Sequence, residues 1–236
     1  MSMFDKRSDK IEIMDDLTCQ GEEVNQTLRE LEIINSLLGG NYVTLNGIAK
    51  LVALQPSAKK ISITDLGCGG GDILRLISTW GKKKRLNLAL TGIDANENII
   101  RFAKEQGAKF ADITFETVDI FSEQFKAKRF DILVGTLFFH HFTDKQLIDF
   151  FKQARAQAHL GIVVNDIHRH GIAYYSIKTL TMLFSKSKMV KYDAPLSVLR
   201  AFRKKDLTDI LDKAGIKKYT IKWMWAFRWQ VIIINV

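Results

Sequence analysis

The chain has 236 residues, of which 47% are hydrophobic and 26% charged, and this suits one α/β domain with a sizeable core and some additional elements. No apolar run approaches the roughly 20 residues that span a bilayer, and the polar N-terminus does not resemble a secretory signal, so we expect a cytoplasmic protein without stable membrane insertion. Residues 160–236 hold 14 Lys and Arg against 5 Asp and Glu, which accounts for the whole net charge of +9; such a basic third can attract anionic partners, but a solvated lysine-rich face is the simpler interpretation.

The first part of the chain is predicted to be helical, and the middle part to alternate between strands and helices. Apolar residues recur at three- and four-residue steps over 11–54, with a break at Gly39-Gly40 and a second short helix over 44–54 that ends before Pro56. Short β-type runs then predict strands over residues 61–65, 86–94, 113–118, 130–135 and 160–166. Helices are predicted between them over residues 72–80, 97–106 and 144–158.

The last part of the chain departs from this alternation. Residues 171–195 form a partly amphipathic insertion, a helix is predicted over 205–214, and strands over 217–225 and 229–235 are close enough to form an antiparallel hairpin. Alternating strands and helices predict a parallel sheet with helices on both faces. The carboxyl ends of its strands meet at one edge, and the functional site is expected there.

A glycine-rich loop follows the first predicted strand. The strand runs through Asp65 into glycines at 67, 69, 70 and 71, and a helix begins at Asp72. Glycine allows positive φ and a close approach to a ligand, and the helix N-terminus presents free N–H groups. A dinucleotide-binding loop reads G-x-G-x-x-G, but its third glycine would fall on Asp72. The alternative is an ordinary tight turn in which Asp72 caps the helix.

The loop instead reads D-x-G-x-G-x-G, which resembles motif I of class I S-adenosylmethionine-dependent methyltransferases. This resemblance implies a Rossmann-like α/β fold, with a mostly parallel seven-stranded sheet, an antiparallel C-terminal strand, helices on both faces and an N-terminal helical lid. It also implies S-adenosyl-L-methionine (SAM) as the cofactor. The amino acid end of the donor would pack against Gly67, Cys68, Gly69 and Gly71, and Asp65 would hold its ammonium group.

The ends of the next strands carry further acids. A carboxylate at the position of Asp94 can accept hydrogen bonds from both ribose hydroxyls of an adenosine. In the family, an acid after the third strand meets the adenine amino group and the next backbone amide meets a ring nitrogen, which implies these roles for Asp119 and Ile120. Ala95 and Thr136, at neighbouring strand ends, complete the predicted donor site. Three acids in this order favour a donor site over ordinary turns.

Within the family, the chain is most similar to small-molecule methyltransferases related to ubiquinone and menaquinone biosynthesis enzymes. The segment 135–142, Gly-Thr-Leu-Phe-Phe-His-His-Phe, is similar to their strand-end LHH signature. The segments 165–170, 174–191 and 194–203 resemble bacterial methyltransferases often found beside polyketide synthases. We accordingly expect a helical cap over residues 1–56 and a Rossmann-like domain over 57–236, in which the cap and the insertion form a lid.

Histidines near the fourth and fifth strands are the candidate general bases. A hydroxyl acceptor has to be aligned with the methyl group and lose its proton, and histidine titrates near neutral pH. The candidates are His140, His141 and His168, and we favour His168 because Asp166 lies two residues before it; a structural role is the alternative for each. The two cysteines have no metal-binding spacing, and no metal ion is expected.

An apolar small molecule is the expected acceptor. A set of aromatic residues predicts an apolar acceptor pocket. The set consists of Phe138, Phe139, Phe142, Tyr174, Tyr175 and Phe184. The fourth strand lacks the proline-containing motif of enzymes that methylate nucleic-acid amino groups, so a nucleic acid partner is not expected. We predict O-methylation of a phenolic or enolic hydroxyl by a monomer or homodimer. The alternatives are C-methylation of a quinol ring, an NAD(P)-dependent oxidoreductase and an RNA-associated methyltransferase.

Overall fold

The computed structural model describes residues 2–55 and 60–236. The helices in this part of the chain are α1 (Glu22–Leu37), α2 (Gly40–Val52), α3 (Asp72–Lys84), α4 (Glu97–Gly107), α5 (Glu123–Lys126), α6 (Asp144–Gln157), α7 (Gly171–Phe184), α8 (Lys188–Arg200) and α9 (Lys204–Lys213). The strands are β1 (Ile61–Leu66), β2 (Leu88–Asp94), β3 (Ile113–Thr117), β4 (Phe130–Thr136), β5 (Ala158–Ile167), β6 (Tyr219–Met224) and β7 (Arg228–Ile234).

Within the described residues, the seven strands form one sheet in the order β3-β2-β1-β4-β5-β7-β6. Strands β1 to β5 pair in parallel, and β7 is antiparallel to both of its neighbours, β5 and β6. The predicted Rossmann-like fold with an antiparallel C-terminal strand is confirmed. The strand order reverses between β1 and β4, and a crevice is therefore expected at the carboxyl ends of these strands.

The N-terminal region is less helical than its apolar periodicity predicts. Between residues 11 and 21 the only helical element is a 3₁₀ turn at Ile13–Asp15, and α1 begins after Gly21. The second helix begins at Gly40 rather than at 44, because Gly39 adopts a left-handed φ of 73° and lets the chain turn directly into α2. The predicted domain boundary at residues 56–57 lies outside the described residues.

The insertion predicted over 171–195 consists of the two helices α7 and α8, and it extends five residues further, to Arg200. Ser187 begins α8 because its hydroxyl accepts the backbone N–H of Val190 at 3.1 Å. The helix α5 and a 3₁₀ turn at Phe139–His141 were not predicted. Each is about one turn long, which is too short to display a helical period.

Two apolar layers cover the two faces of the sheet. Side chains from α6 and α9, such as Phe150 and Ile210, pack on one face, and side chains from α2, α3 and α4, such as Leu51 and Leu74, pack on the other. No helix in the described part of the chain is both long and apolar enough to cross a membrane. The side chains of α6 and α9 on one face and of α2, α3 and α4 on the other bury the sheet on both faces.

Buried hydrogen bonds also attach α2 to the sheet. The fully buried side-chain amide of Asn165 on β5 donates to the carbonyl oxygen of Gly40 and to the hydroxyl of Thr44, both at 2.9 Å. On β7, the amide of Gln230 donates to the carbonyl oxygen of Val43 at 2.7 Å. These bonds fix the start of α2 against the edge of the sheet where the crevice opens.

We expect Asn165→Ala to lower the free energy of unfolding by about 1–3 kcal/mol, because it leaves buried acceptors without their donor. Urea unfolding followed by circular dichroism measures the change. The matched control is Asn87→Ala in the exposed loop before β2, which should stay within about 0.5 kcal/mol of the wild type. Equal stability of the two variants would contradict a stabilising role for these bonds.

Candidate active site

A cavity of about 1070 Å³ opens at the carboxyl ends of the central strands. Single-ligand pockets have volumes of about 300–1,000 Å³, so this cavity has room for a cofactor together with an acceptor. Most of the residues predicted for the site line it, namely Asp65, Gly67, Cys68, Gly69, Asp94, Ala95, Asp119, Ile120, Thr136, His140 and His141. Gly71 and His168 are not among its lining residues.

The glycine loop has the backbone conformation that its sequence predicts. Gly67 and Gly69 adopt left-handed φ angles of 62° and 50°. A Cβ atom on Gly67 would lie 2.1 Å from the ring of Phe138, so a side chain is excluded there. Gly71 is also left-handed, but a Cβ on it would meet the ring of Phe115 at 2.7 Å, behind the loop. Gly71 therefore shapes the start of α3 and does not face the cavity.

Acidic side chains crowd the cavity beside this loop. The carboxylate of Asp65 is buried, and its Oδ1 has no hydrogen-bond partner among the described residues. Burial raises the pKa of Asp65 well above its usual range, and the nearby charges of Asp72 and Asp94 raise it further. Burial, together with the charge of Glu32, likewise raises the pKa of Asp72 to about 6. A positively charged ligand would relieve this repulsion.

The other two acids occupy the predicted strand ends. Asp94 ends β2, where its Oδ1 accepts the backbone N–H of Asn96 at 3.0 Å and its Oδ2 accepts that of Gly69 at 3.4 Å. Asp119 follows β3 and is exposed, with Oδ1 accepting the backbone N–H of Phe121 at 2.9 Å. Asp94 is thus linked directly to the glycine loop, whereas Asp119 lies at the outer rim.

His140 is held firmly by an acid at the end of β5. Its Nδ1 pairs with Oδ1 of Asp166 at 2.8 Å, and its backbone N–H donates to Oδ2 at 3.1 Å. Both side chains are buried, and Nε2 of His140 has no hydrogen-bond partner in the described part of the chain. A carboxylate on Nδ1 favours the tautomer whose Nε2 accepts hydrogen bonds.

His168 lies apart from this arrangement, contrary to the expectation that Asp166 would orient it. Its ring packs against the rings of Trp229 and His170, with centroids 4.9 and 5.4 Å away. Burial, together with the neighbouring charges of His170 and Arg169, lowers the pKa of His168. The geometry therefore favours His140 over His168 as the histidine that meets an acceptor.

The N-terminal segment contributes acids that sequence reasoning missed. Asp15 pairs with Nδ1 of His141 at 2.6 Å and forms an ion pair with Arg200. Glu12 is buried, and its Oε1 lies 3.7 Å from Nε2 of His140. Neither acid belongs to a recognisable motif, and both lie more than 120 positions from the histidines. Their only signal is a pair of acids three residues apart, which is too common to identify a site.

Apolar side chains from several helices form the rest of the cavity wall. They include Leu31 and Ile34 of α1, Ile177 and Leu180 of α7, and Phe142. Of the aromatic residues predicted to form the acceptor pocket, Phe138 and Phe142 line the cavity. The others lie elsewhere, with Phe139 in the core and Tyr175 and Phe184 exposed. These apolar walls are thus built largely from aliphatic residues, including those of α1 and the insertion.

Residues 57–215 match the family model of a methyltransferase domain. No curated protein sequence matches the chain. Among solved structures, the plantazolicin methyltransferase BpumL in complex with SAH is 18% identical with a TM-score of 0.61, covering 91% of this chain and 100% of its own. Human N-acetylserotonin methyltransferase in complex with SAM is 16% identical with a TM-score of 0.63, covering 91% of this chain and 56% of its own. The citrinin polyketide synthase CMeT domain is 12% identical with a TM-score of 0.62, covering 82% of this chain and 52% of its own. At these identities, the structures establish the likeness of the fold.

Proposed function

The chain belongs to the methyltransferase domain family, and we propose that it transfers the methyl group of SAM to a phenolic or enolic hydroxyl of an apolar small molecule. The observation that carries this proposal is a single cavity in which the glycine loop and its acids adjoin two histidines and apolar walls. The donor would occupy the acidic part, and the acceptor would occupy the part between the histidines and the apolar helices.

The acidic part of the cavity suits SAM, which carries an ammonium and a sulfonium group. The unpartnered Oδ1 of Asp65 would accept hydrogen bonds from the ammonium group. Asp94 would accept the ribose hydroxyls, and Asp119 and the backbone N–H of Ile120 would meet the adenine at the rim. Bound SAM supplies an activated methyl group, so the protein mainly has to align the two reactants and exclude water.

The histidine part of the cavity suits a hydroxyl acceptor. His140 lines the cavity, its Nε2 has no hydrogen-bond partner among the described residues, and Asp166 holds its ring in place. A hydroxyl hydrogen-bonded at that nitrogen would be oriented and partly deprotonated. Two structures with a similar fold are those of a carbon methyltransferase and a putative O-methyltransferase. C-methylation of a quinol ring is the second candidate, since a quinol also presents a hydroxyl to His140.

An assay with isotope-labelled SAM tests the function against a panel of phenols, enols, quinols and RNA. We expect label in an apolar phenol or enol, and mass fragmentation identifies the methylated atom. The variant His140→Ala should lower kcat by about 100-fold or more with little change in SAM affinity, whereas His168→Ala should keep most of the activity. Labelling of RNA alone, or a fall in kcat confined to His168→Ala, would overturn this assignment.

Donor binding tests the role of Asp94 separately from the acceptor. We expect calorimetry to show binding of SAM and none of NADH, since the loop lacks the third glycine of a dinucleotide site. Asp94→Asn should weaken SAM binding by about 10-fold or more, because the charged acceptor of the ribose hydroxyls is lost. The control Asp112→Asn replaces an acid that pairs with Lys82 just before β3, at the amino ends of the parallel strands. It should leave the affinity unchanged. Preferential binding of NADH would favour an oxidoreductase.

The affinity for SAM should fall as the pH is lowered through the pKa of Asp65, because protonation removes the negative partner of the ammonium group. Burial and the charges of Asp72 and Asp94 raise the pKa of Asp65 well above its usual range, so the loss begins at a higher pH than for an exposed aspartate. Affinity should be level above that pKa and fall by up to about tenfold per pH unit below it.

Calorimetric titrations from about pH 8 down to about pH 5 measure this dependence. Asp65→Asn should bind SAM more weakly at pH 8 and show a flatter profile, since the remaining acids still titrate. A profile as steep as that of the wild type would show that Asp65 is not the group that responds to pH.

A further inference from the structure

Three side chains meet where the N-terminal segment crosses the end of β4. Glu12, His140 and His141 each offer a ligand atom within 4.8 Å of those of the other two, and all three line the cavity. We propose that this cluster, here called the Glu–His–His cluster, binds a divalent first-row transition-metal ion such as Zn²⁺. Two imidazoles and one carboxylate are a ligand set that such ions accept.

The distances between the ligand atoms of the Glu–His–His cluster are close to those of a preformed metal site. Nε2 of His140 and Oε1 of Glu12 lie 3.7 Å apart. Ligand atoms about 2.0–2.1 Å from a tetrahedral zinc ion lie about 3.3–3.4 Å from each other. The two atoms therefore need to approach by only a few tenths of an ångström. Nδ1 of His141 lies 4.0 Å from Oε2 of Glu12, so the second imidazole borders the same carboxylate.

The atoms facing this gap are buried without partners. Oε1 of Glu12 and Nε2 of His140 have no hydrogen bond to any described residue, and both residues are at least 96% buried. A buried polar atom without a partner costs about 1–3 kcal/mol. Two such atoms facing each other across a short gap, each with a free lone pair, indicate that a third species belongs between them.

Each side chain of the Glu–His–His cluster also has a polar partner outside the cluster, and because the partner of His141 is on Nδ1, Nε2 would be the nitrogen that His141 offers to the ion. Asp166 pairs with Nδ1 of His140 at 2.8 Å, and Asp15 pairs with Nδ1 of His141 at 2.6 Å. The hydroxyl of Ser197 donates to Oε2 of Glu12 at 2.9 Å. Carboxylates behind histidine ligands orient the imidazole and raise its basicity in metal sites. In the case of His140, this support leaves Nε2 free for the ion.

The local charge favours a divalent cation. With both imidazoles neutral, the four carboxylates of Glu12, Asp15, Asp166 and Asp193 outnumber the two guanidinium groups of Arg200 and Arg228. Arg200 already pairs with Asp15 and donates to the carbonyl oxygen of His141, and its Nε stays 3.7 Å from Oε1 of Glu12. Arg200 therefore does not satisfy that oxygen, and a divalent ion would balance the excess.

Three protein ligands leave at least one coordination position open. Because the Glu–His–His cluster lines the cavity, an acceptor in the cavity would be placed to fill that position. On the proposed function, Nε2 of His140 would then hold the ion instead of accepting a hydrogen bond, and an acceptor hydroxyl coordinated to the ion would have a lowered pKa and would ionise more readily. Metal binding itself does not depend on that function, and the sequence alone had indicated no metal ion.

Titration of the EDTA-treated full chain with ZnCl₂ by calorimetry tests the site directly. We expect saturable binding of one Zn²⁺ per chain. Glu12→Gln and His141→Asn should each weaken it by about 10-fold or more, since loss of a ligand costs at least as much as loss of its supporting partner. The control His170→Gln alters the other histidine pair, near Trp229, and should leave the affinity unchanged. Thermal unfolding in EDTA checks that each variant is folded.

Two results would overturn the proposal. One is the absence of stoichiometric Zn²⁺ binding by the wild type. The other is Zn²⁺ binding that keeps its wild-type affinity in folded Glu12→Gln and His141→Asn, whatever the effect of His170→Gln. If the chain methylates a phenol after EDTA treatment and binds no Zn²⁺, the metal site fails and the methyltransferase function stands. If it binds Zn²⁺ through the Glu–His–His cluster but methylates nothing in the panel, the metal site stands and the proposed methyltransferase function fails.

Discussion

The buried carboxylate of Asp166 is the constraint on which the candidate site depends. An ionised carboxylate in the interior costs several kcal/mol unless it is paired and hydrogen-bonded. Asp166 is fully buried, and it meets this requirement through the ring and backbone N–H of His140 and the backbone N–H of Ile167. The guanidinium of Arg228 on β7 adds a nearby positive charge, although burial lowers the pKa of Arg228 to about 10. The carboxylate thereby joins the end of β5 to the 3₁₀ turn that follows β4 and sets the orientation of His140.

The N-terminal segment docks on this centre through charged and polar contacts more than through apolar packing. Arg7 donates to the carbonyl oxygens of Arg200 at 2.7 Å and Phe142 at 2.8 Å, while Ile11 and Leu17 remain exposed. Guanidinium groups that bond carbonyl oxygens provide directional attachment with little buried apolar area. A segment held in this way can open at a lower free energy than the core, which suits the predicted lid over the cavity.

The parts of the site that follow from local sequence were predictable, and those that need distant residues were not. The glycine loop and the acids at 65, 94 and 119 follow from strand–loop–helix patterns, because parallel strands bring their carboxyl ends to one edge. The preference for His168 rested on its position just past the fifth strand, two residues after Asp166. In the structure Asp166 pairs with His140, and His168 forms a bridge with Phe202. The partners of Glu12 and Asp15 lie too far along the chain for any local pattern to reveal.

The acids around the glycine loop suggest why a cationic donor and its product would bind differently. In the free protein, burial favours the protonated forms of Asp65, Asp72 and Asp94, and the charges of Asp72 and Asp94 add to this effect at Asp65. A ligand with an ammonium and a sulfonium group would stabilise the ionised forms. Methyl transfer converts the sulfonium to a neutral thioether, so the product keeps only the ammonium. Because Coulomb interactions are stronger in a buried site than in water, loss of that charge would weaken the attraction to the acids after the reaction and so assist release of the product.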